Sequence, residues 1–265
     1  MNLLLLGGTG EARALASVLV PHGVRVVSSL AGRVARPRLP VGEVRVGGFG
    51  GVAGLAAYLR AEQVAAVVDA THPFAATISA NAVAACAPPP LPVESAPGRV
   101  ESARGQTGTP LLRLIRPGWS GHPDADRWHW VDDHVEAADA VARLGSRVFL
   151  TTGRQSLDLF AARLPDHEAM VRVVDPPGEL PPRWRVLQAR GPYTVDGERA
   201  LMQRHRTEVL VTKDSGGDLT RAKLDAAASL EVRVVVVRRP TLPPGTTTVS
   251  DVDAAAAWVL RRLRR

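Results

Sequence analysis

What most constrains the fold is a repeated succession along the chain. A short, continuously apolar run enters a loop of glycine or small polar residues and leaves as an alanine-rich helical stretch. Runs that are apolar throughout, rather than alternating, suit strands covered on both faces, and such strands favour parallel sheets. In the first half the pattern predicts strands at Asn2–Leu6, Val24–Ser28, Glu43–Val46, Ala65–Asp69 and Pro110–Leu114. Helices are predicted at Gly10–Val20, Val52–Ala61 and Pro73–Ala85. A second series follows Arg116-Pro117-Gly118-Trp119, with strands at Trp128–Val131, Val148–Thr151, Ala169–Val174, Arg185–Ala189, Val209–Thr212 and Val232–Val237. Its helices are predicted at Val135–Leu144, Ser156–Arg163, Gly197–His205, Leu219–Leu230 and Val252–Arg262. The expected architecture is α/β: two Rossmann-like, doubly wound parallel-sheet domains, 1–116 and 117–265, with a ligand cleft between them. Segment 87–108, "APPPLPVESAPGRVESARGQTG", has no periodicity and is read as a surface insertion.

The bulk numbers narrow the function classes. No apolar run reaches 18 residues, so no membrane partner is expected. The start lacks a basic region and Leu3–Leu6 is too short for a signal peptide, so a cytoplasmic protein is expected. The lone Cys86 excludes an internal disulfide and is assigned to packing; no Cys/His spacing for a metal is found. Net charge is +7, which calls for an acidic partner. Basic residues are scattered and aromatics make up 4%, so nucleic acid is not expected; a polyanionic small molecule with a phosphorylated cofactor accounts for the charge. Of the 33 basic side chains 31 are Arg; the two lysines, Lys213 and Lys223, flank one glycine loop.

Ligands of doubly wound sheets bind beyond the carboxyl ends of the strands, so the loops there carry the chemistry. Gly7-Gly8-Thr9-Gly10-Glu11-Ala12-Arg13 follows the first strand. Gly8 and Gly10 admit a pyrophosphate, Thr9 adds a hydroxyl and the helix start adds free N–H groups. The third glycine of the dinucleotide fingerprint is replaced by Arg13, so the loop alone is an incomplete motif. No acid stands between Val24 and Val41; Ser29 and Arg33 offer instead a site for a 2′-phosphate, which favours NADP over NAD. Phe49, in Gly47-Gly48-Phe49-Gly50-Gly51, is a candidate wall for a flat ligand. In Asp69-Ala70-Thr71-His72-Pro73, Pro73 reads as a first helical residue capped by Thr71 or His72, with His72 a candidate proton donor. Thr151-Thr152-Gly153-Arg154 and Thr212-Lys213-Asp214-Ser215-Gly216-Gly217 read as anion cradles, and Asp218 reads as the following helix's N-cap. The other six histidines share no spacing and are read as structural or exposed.

Taken in order, "GGTGEAR", "SLAGR", "GGFGG", "DATHPFA", "LLRLIRPGW", "TTGRQSLDLF" and "VTKDSGG" resemble the precorrin-6A reductase family (CobK/CbiJ) over nearly the whole chain. Segment 87–108 departs from that family's pattern. The resemblance implies an NADPH-dependent oxidoreductase of cobalamin biosynthesis, acting on a CH–CH bond of a metal-free or cobalt-bearing tetrapyrrole whose carboxylates explain the basic charge. It implies NADPH on Gly8, Thr9, Gly10, Glu11, Ser29, Arg33 and Thr71, with His72 near the reaction. Substrate would lie on Arg154, Lys213, Ser215, Gly216 and Gly217, and hand-over to neighbouring enzymes of the pathway is an expectation of the same kind. From the residues alone, another NADP-dependent reductase or epimerase and a non-enzymatic nucleotide-binding protein stay open.

Overall fold

The structure, a computed structural model, describes residues 1–32, 37–88 and 108–263. Arg33 and residues 89–107, most of the expected insertion, lie outside them. The chain divides into two compact units, 1–116 together with 241–265, and 117–240.

The first unit is a six-stranded parallel sheet. Its strands are β1 (Asn2–Leu6), β2 (Arg25–Leu30), β3 (Glu43–Val46), β4 (Ala66–Asp69), β5 (Leu111–Leu114) and β12 (Thr248–Val249), ordered β3-β2-β1-β4-β5-β12. The leucine run of β1 shows why both faces must be covered. Leu3 and Leu5 face one side, packing with Leu15 and Leu19 of α1 (Gly10–Leu19) and Trp258 and Val259 of α8 (Val252–Leu263). Leu4 and Leu6 face the other, packing with Leu55 and Leu59 of α2 (Gly51–Ala61) and Ala82 and Cys86 of α3 (Ala76–Cys86). Burial pushes the Cys86 thiol up to about 12, so it is an inert packing group.

The second unit repeats the plan. Its strands are β6 (His129–Val131), β7 (Arg147–Leu150), β8 (Glu168–Val173), β9 (Arg185–Gln188), β10 (Val209–Lys213) and β11 (Arg233–Val237), ordered β9-β8-β7-β10-β11-β6 and parallel throughout. Its helices are α4 (His134–Leu144), α5 (Leu157–Arg163), α6 (Val195–His205) and α7 (Ala222–Ser229). Leu210, Phe149, Val234 and Val236 pack with Met202 of α6 and Leu224 of α7.

Both sheets run 3-2-1-4-5-6 when each unit's strands are counted from its central strand, and both fill the sixth place out of turn. In the first unit β12 arrives from the end of the chain and pairs with β5; in the second, β6 precedes the other five and pairs with β11. This corrects the expected C-terminal domain of 117–265: residues 241–265 belong to the first unit. The reason is the apolar face of α1, which α8 covers with Ala255, Ala256, Trp258 and Val259. Strand β12 escapes sequence reading because two residues show no periodicity.

Trp258 is 8% exposed, with the Arg262 guanidinium 3.6 Å over its ring. Trp258→Ala is expected to cost about 3 kcal/mol of stability in denaturant unfolding. A loss within a few tenths of that of a surface substitution would show that α8 is dispensable to the first unit's core.

Candidate functional site

In the first unit the strand ends of β1 and β4 meet at the point where the strand order reverses. Thr9 bridges them. Its hydroxyl donates to the carbonyl of Ala70 (2.7 Å) and accepts from the N–H of Ala12 (3.1 Å), making Thr9 the N-cap of α1. Gly8 has φ +105°, a value that favours glycine, and a Cβ there would meet nothing within 4 Å, so the turn's outer side is open. Close helix–strand packing falls to Ala12, whose Cβ lies 3.5 Å from where a Cβ on Gly7 would stand. Arg13, next to it, is thereby freed from that duty.

Arg13 lines a shallow, open surface concavity with Gly7, Gly8, Ala12, Ser28, Leu30, Arg38 and Pro40. Ser28 is 1% exposed, and its hydroxyl has no hydrogen-bond partner among the described residues. Ser29, the residue expected to bind cofactor, points to the opposite face, where its hydroxyl accepts from Arg45 at 3.5 Å. Strand alternation from Val26, a core residue on the α1 face, would have selected Ser28. Arg45 also donates to the carbonyls of Gly47 and Gly48 (2.6 Å each) and stacks 3.9 Å over Phe49. Phe49 is thus a seat for Arg45, with Tyr58 edge-on at 5.2 Å.

Beyond β4 the loop is held by a buried ion pair. Arg113 of β5 pairs with Asp69 of β4, their side chains 1% and 3% exposed. The Thr71 hydroxyl donates to Asp69 Oδ1 (2.7 Å) and accepts from Arg113 (2.8 Å), and the backbone N–H of Thr71 also donates to Asp69 (3.0 Å). Pro73 and Thr71 therefore do not start the helix as expected: α3 begins at Ala76, with Ala75 as its cap. His72 is half-buried, and its Nδ1 accepts from the N–H of Phe74 (3.2 Å). A neutral ring so bound carries its proton on Nε2. Glu11 is ion-paired with Arg116 (2.8 Å), and both line a second depression with Thr9 and Thr71. Gly8, Thr9, Gly10, Glu11, Thr71 and His72 thus share one edge of this unit. Sequence reading missed Asp69, Arg113 and Arg45, because charged residues inside strands carry no motif.

In the second unit the two expected cradles sit at the carboxyl ends of adjacent strands, β7 and β10. Gly153 (φ +87°) opens a 3-10 turn, Arg154–Ser156, in which the Ser156 hydroxyl donates to Thr152 (2.8 Å). A Cβ on Gly153 would lie 4.0 Å from Lys213 Nζ, which places the two loops side by side. Burial pulls Lys213 down to about 8. Arg154 is exposed and reaches the carbonyl of Pro176 at 3.5 Å. The rest of the second loop is closely packed. A Cβ on Gly216 would stand 2.1 Å from the carbonyl of Pro117, and Ser215 is buried. Asp214 accepts from the N–H of Trp119 (2.7 Å) and pairs with Arg239 (3.3 Å). Asp218 opens a 3-10 turn, Asp218–Thr220, whose cap is Gly217 (φ +78°), so the expected N-cap role of Asp218 is not met.

A 3-2-1-4-5-6 parallel sheet, with a glycine turn and helix start beside its central strand, defines a doubly wound α/β protein of the Rossmann-like class. A family model described as "Precorrin-6x reductase CbiJ/CobK" matches residues 2–93 and 98–260. A precorrin-6A reductase of Rhodococcus erythropolis is 51% identical over 270 residues, covering 100% of this chain and 99% of the relative. A solved structure titled "CobK precorrin-6A reductase" aligns with TM-score 0.85 at 41% identity, covering 99% of this chain and 97% of that one. A cobalt-precorrin-6A reductase of Priestia megaterium is 28% identical over 270 residues, covering 97% and 98%. The chain belongs to the precorrin-6x reductase family CbiJ/CobK, a family of oxidoreductases of cobalamin biosynthesis.

Arg113→Met strands a buried carboxylate and is expected to cost about 3–5 kcal/mol. Adding Asp69→Asn should recover part of that loss, because the uncompensated charge is gone. Additive losses in the double variant would show that the two residues are not coupled.

Proposed function

We propose that this chain reduces a ring double bond of precorrin-6A with NADPH as hydride donor. One observation supports the cofactor above others: the concavity beside β1 combines the Gly8 turn, the unpartnered Ser28 hydroxyl and two arginines, Arg13 and Arg38. No carboxylate stands between Val24 and Val41 to accept from a ribose 2′-hydroxyl, whereas guanidinium groups suit a 2′-phosphate. The donor set fits NADPH. Arg33, outside the described residues, belongs to the same proposed phosphate contacts.

NADPH would supply the hydride from its nicotinamide; the chain's part is to hold, orient and protonate. Gly8 would let a pyrophosphate approach the backbone, where the N–H groups of Gly10 and Glu11 at the start of α1 would be available to it, those of Ala12 and Arg13 being bonded to Thr9. Thr9 ties this turn to the β4 loop, so cofactor contacts made there are transmitted to Thr71 and His72. With Nδ1 occupied by the Phe74 N–H, His72 offers Nε2–H as a proton donor to a substrate carbon. In the second unit Lys213 and Arg154, with Ser215 and the Gly216-Gly217 backbone, are assigned to substrate carboxylates. The greater identity to precorrin-6A than to cobalt-precorrin-6A relatives supports a metal-free substrate.

Anaerobic incubation with NADPH and precorrin-6A is expected to consume nicotinamide absorbance in step with the tetrapyrrole. Folded protein without turnover would refute the reading. Arg13→Ala is expected to weaken NADPH binding about tenfold or more, the worth of one charge-assisted hydrogen bond, and to leave NADH binding nearly unchanged. Equal losses would remove Arg13 from the 2′-phosphate.

A further inference from the structure

The second unit holds a buried group of charges that the proposed function does not use. Arg172 lies on β8, Glu198 in the first turn of α6 and Lys223 in the first turn of α7; they are 7%, 2% and 5% exposed. Arg172 pairs with Glu198 through Oε1, and its guanidinium sits 3.8 Å over the Tyr193 ring. Lys223 has no carboxylate within 4 Å and donates no hydrogen bond among the described residues. The group therefore holds two cations and one anion.

Helical side chains lean towards the helix N-terminus, so Lys223 leans towards the end of α7 that follows the carboxyl edge of β10. Arg172 is one residue from the end of β8, and α6 starts beyond β9. All three groups thus lie at the edge of the sheet where ligands of this architecture bind. An uncompensated interior ammonium is costly, and an unbranched apolar side chain such as methionine, one atom shorter, would pack there without that cost. The chain has also departed here from its near-exclusive use of Arg. Tyr193 is committed, its hydroxyl donating to the carbonyl of Ala189 (3.0 Å).

We propose that Lys223, backed by the Arg172–Glu198 pair, is a subsite for one carboxylate of the substrate. This rests on the tetrapyrrole reading above. The charge count selects the ligand class: a single negative charge neutralises the group, whereas a phosphate dianion would leave a buried excess of negative charge. Burial pulls Lys223 down to about 7; Arg172 and, less, Lys213 push the same way, and Glu198 opposes them. A bound carboxylate favours the ammonium, so binding draws a proton onto Lys223. Without ligand the penalty for the charged form is complete below pH ~7 and is relieved as pH rises towards the ordinary lysine value of about 10.4. Unliganded protein therefore gains stability across that window.

Because the chain has only two lysines, protein labelled with 13C at lysine Cε gives two signals, assigned with a Lys213→Met variant. Saturating precorrin-6A, without NADPH, is expected to raise the Lys223 titration midpoint by at least one unit, a tenfold change in its acid constant. Inorganic phosphate and NADP⁺ are expected to leave it in place. Lys223→Met is expected to raise KM for precorrin-6A about tenfold, to spare NADPH affinity and to flatten the rise in stability between pH 7 and 10. If wild-type protein turns over precorrin-6A while the Lys223 midpoint stays fixed, the ammonium serves Glu198 alone and the subsite is overturned. A midpoint moved equally by phosphate overturns it as well. If wild-type protein neither binds nor turns over precorrin-6A, the functional reading fails first and takes the subsite with it.

Discussion

The first unit depends on a guanidinium sealed inside it. Arg113 faces Asp69 in register across β4 and β5, and each would be untenable alone in that interior. Together they order the loop that follows β4: Asp69 and Arg113 both bind Thr71, and Arg113 extends to the carbonyl of His72 at 3.5 Å. The Arg113 backbone serves the other side of its strand, donating to the carbonyl of Thr247 (2.9 Å) at the entry to β12. One residue thus fixes the loop proposed to present His72 and seats the strand that closes the sheet. A buried pair is a weak source of stability but a strong source of geometry, and geometry is what positioning a proton donor needs.

The out-of-turn sixth strands follow from the same economy. Five strands in the order 3-2-1-4-5 leave β5 with an open edge, and α1 alone leaves part of its sheet face bare. An uncovered parallel edge is a liability. The chain covers it last, by bringing β12 and α8 back after the second unit is complete. The second unit has its edge filled first, by β6. Each sheet then has a full set of strands and two covered faces.

The strands and helices were legible because their apolar runs are long and their loops glycine-rich; most boundaries fall within two residues of the pattern. Legibility ended where side chains act through one another. Pro73 looks like a helix start, but Thr71 is drawn into the Asp69–Arg113 group, so three more residues pass before α3 begins. Arg13 looked like a defect in a glycine fingerprint. Its neighbour Ala12 takes the packing role that the third glycine normally fills, and the arginine is left to line the concavity. Choosing Ser28 over Ser29 needed only strand alternation, a signal present in the sequence and overshadowed by the loop motif.

The basic charge also divides once partners are known. Arg113, Arg116, Arg172 and Arg239 are struts, each neutralised by a carboxylate, and Arg45 is spent on carbonyls and an aromatic ring. None of them is a free field for polyanions, which is why net charge by itself says little about a partner. The side chains proposed to meet ligands are a smaller set: Arg13 and Arg38 beside the Gly8 turn in one unit, and Lys213 at the end of β10 with Lys223 in the first turn of α7 in the other. A planar fork suits a fixed strut or a phosphate, whereas a compact ammonium whose proton is loosely held suits a site that must change charge when a carboxylate arrives. It is that second property that the two lysines of this chain are proposed to use.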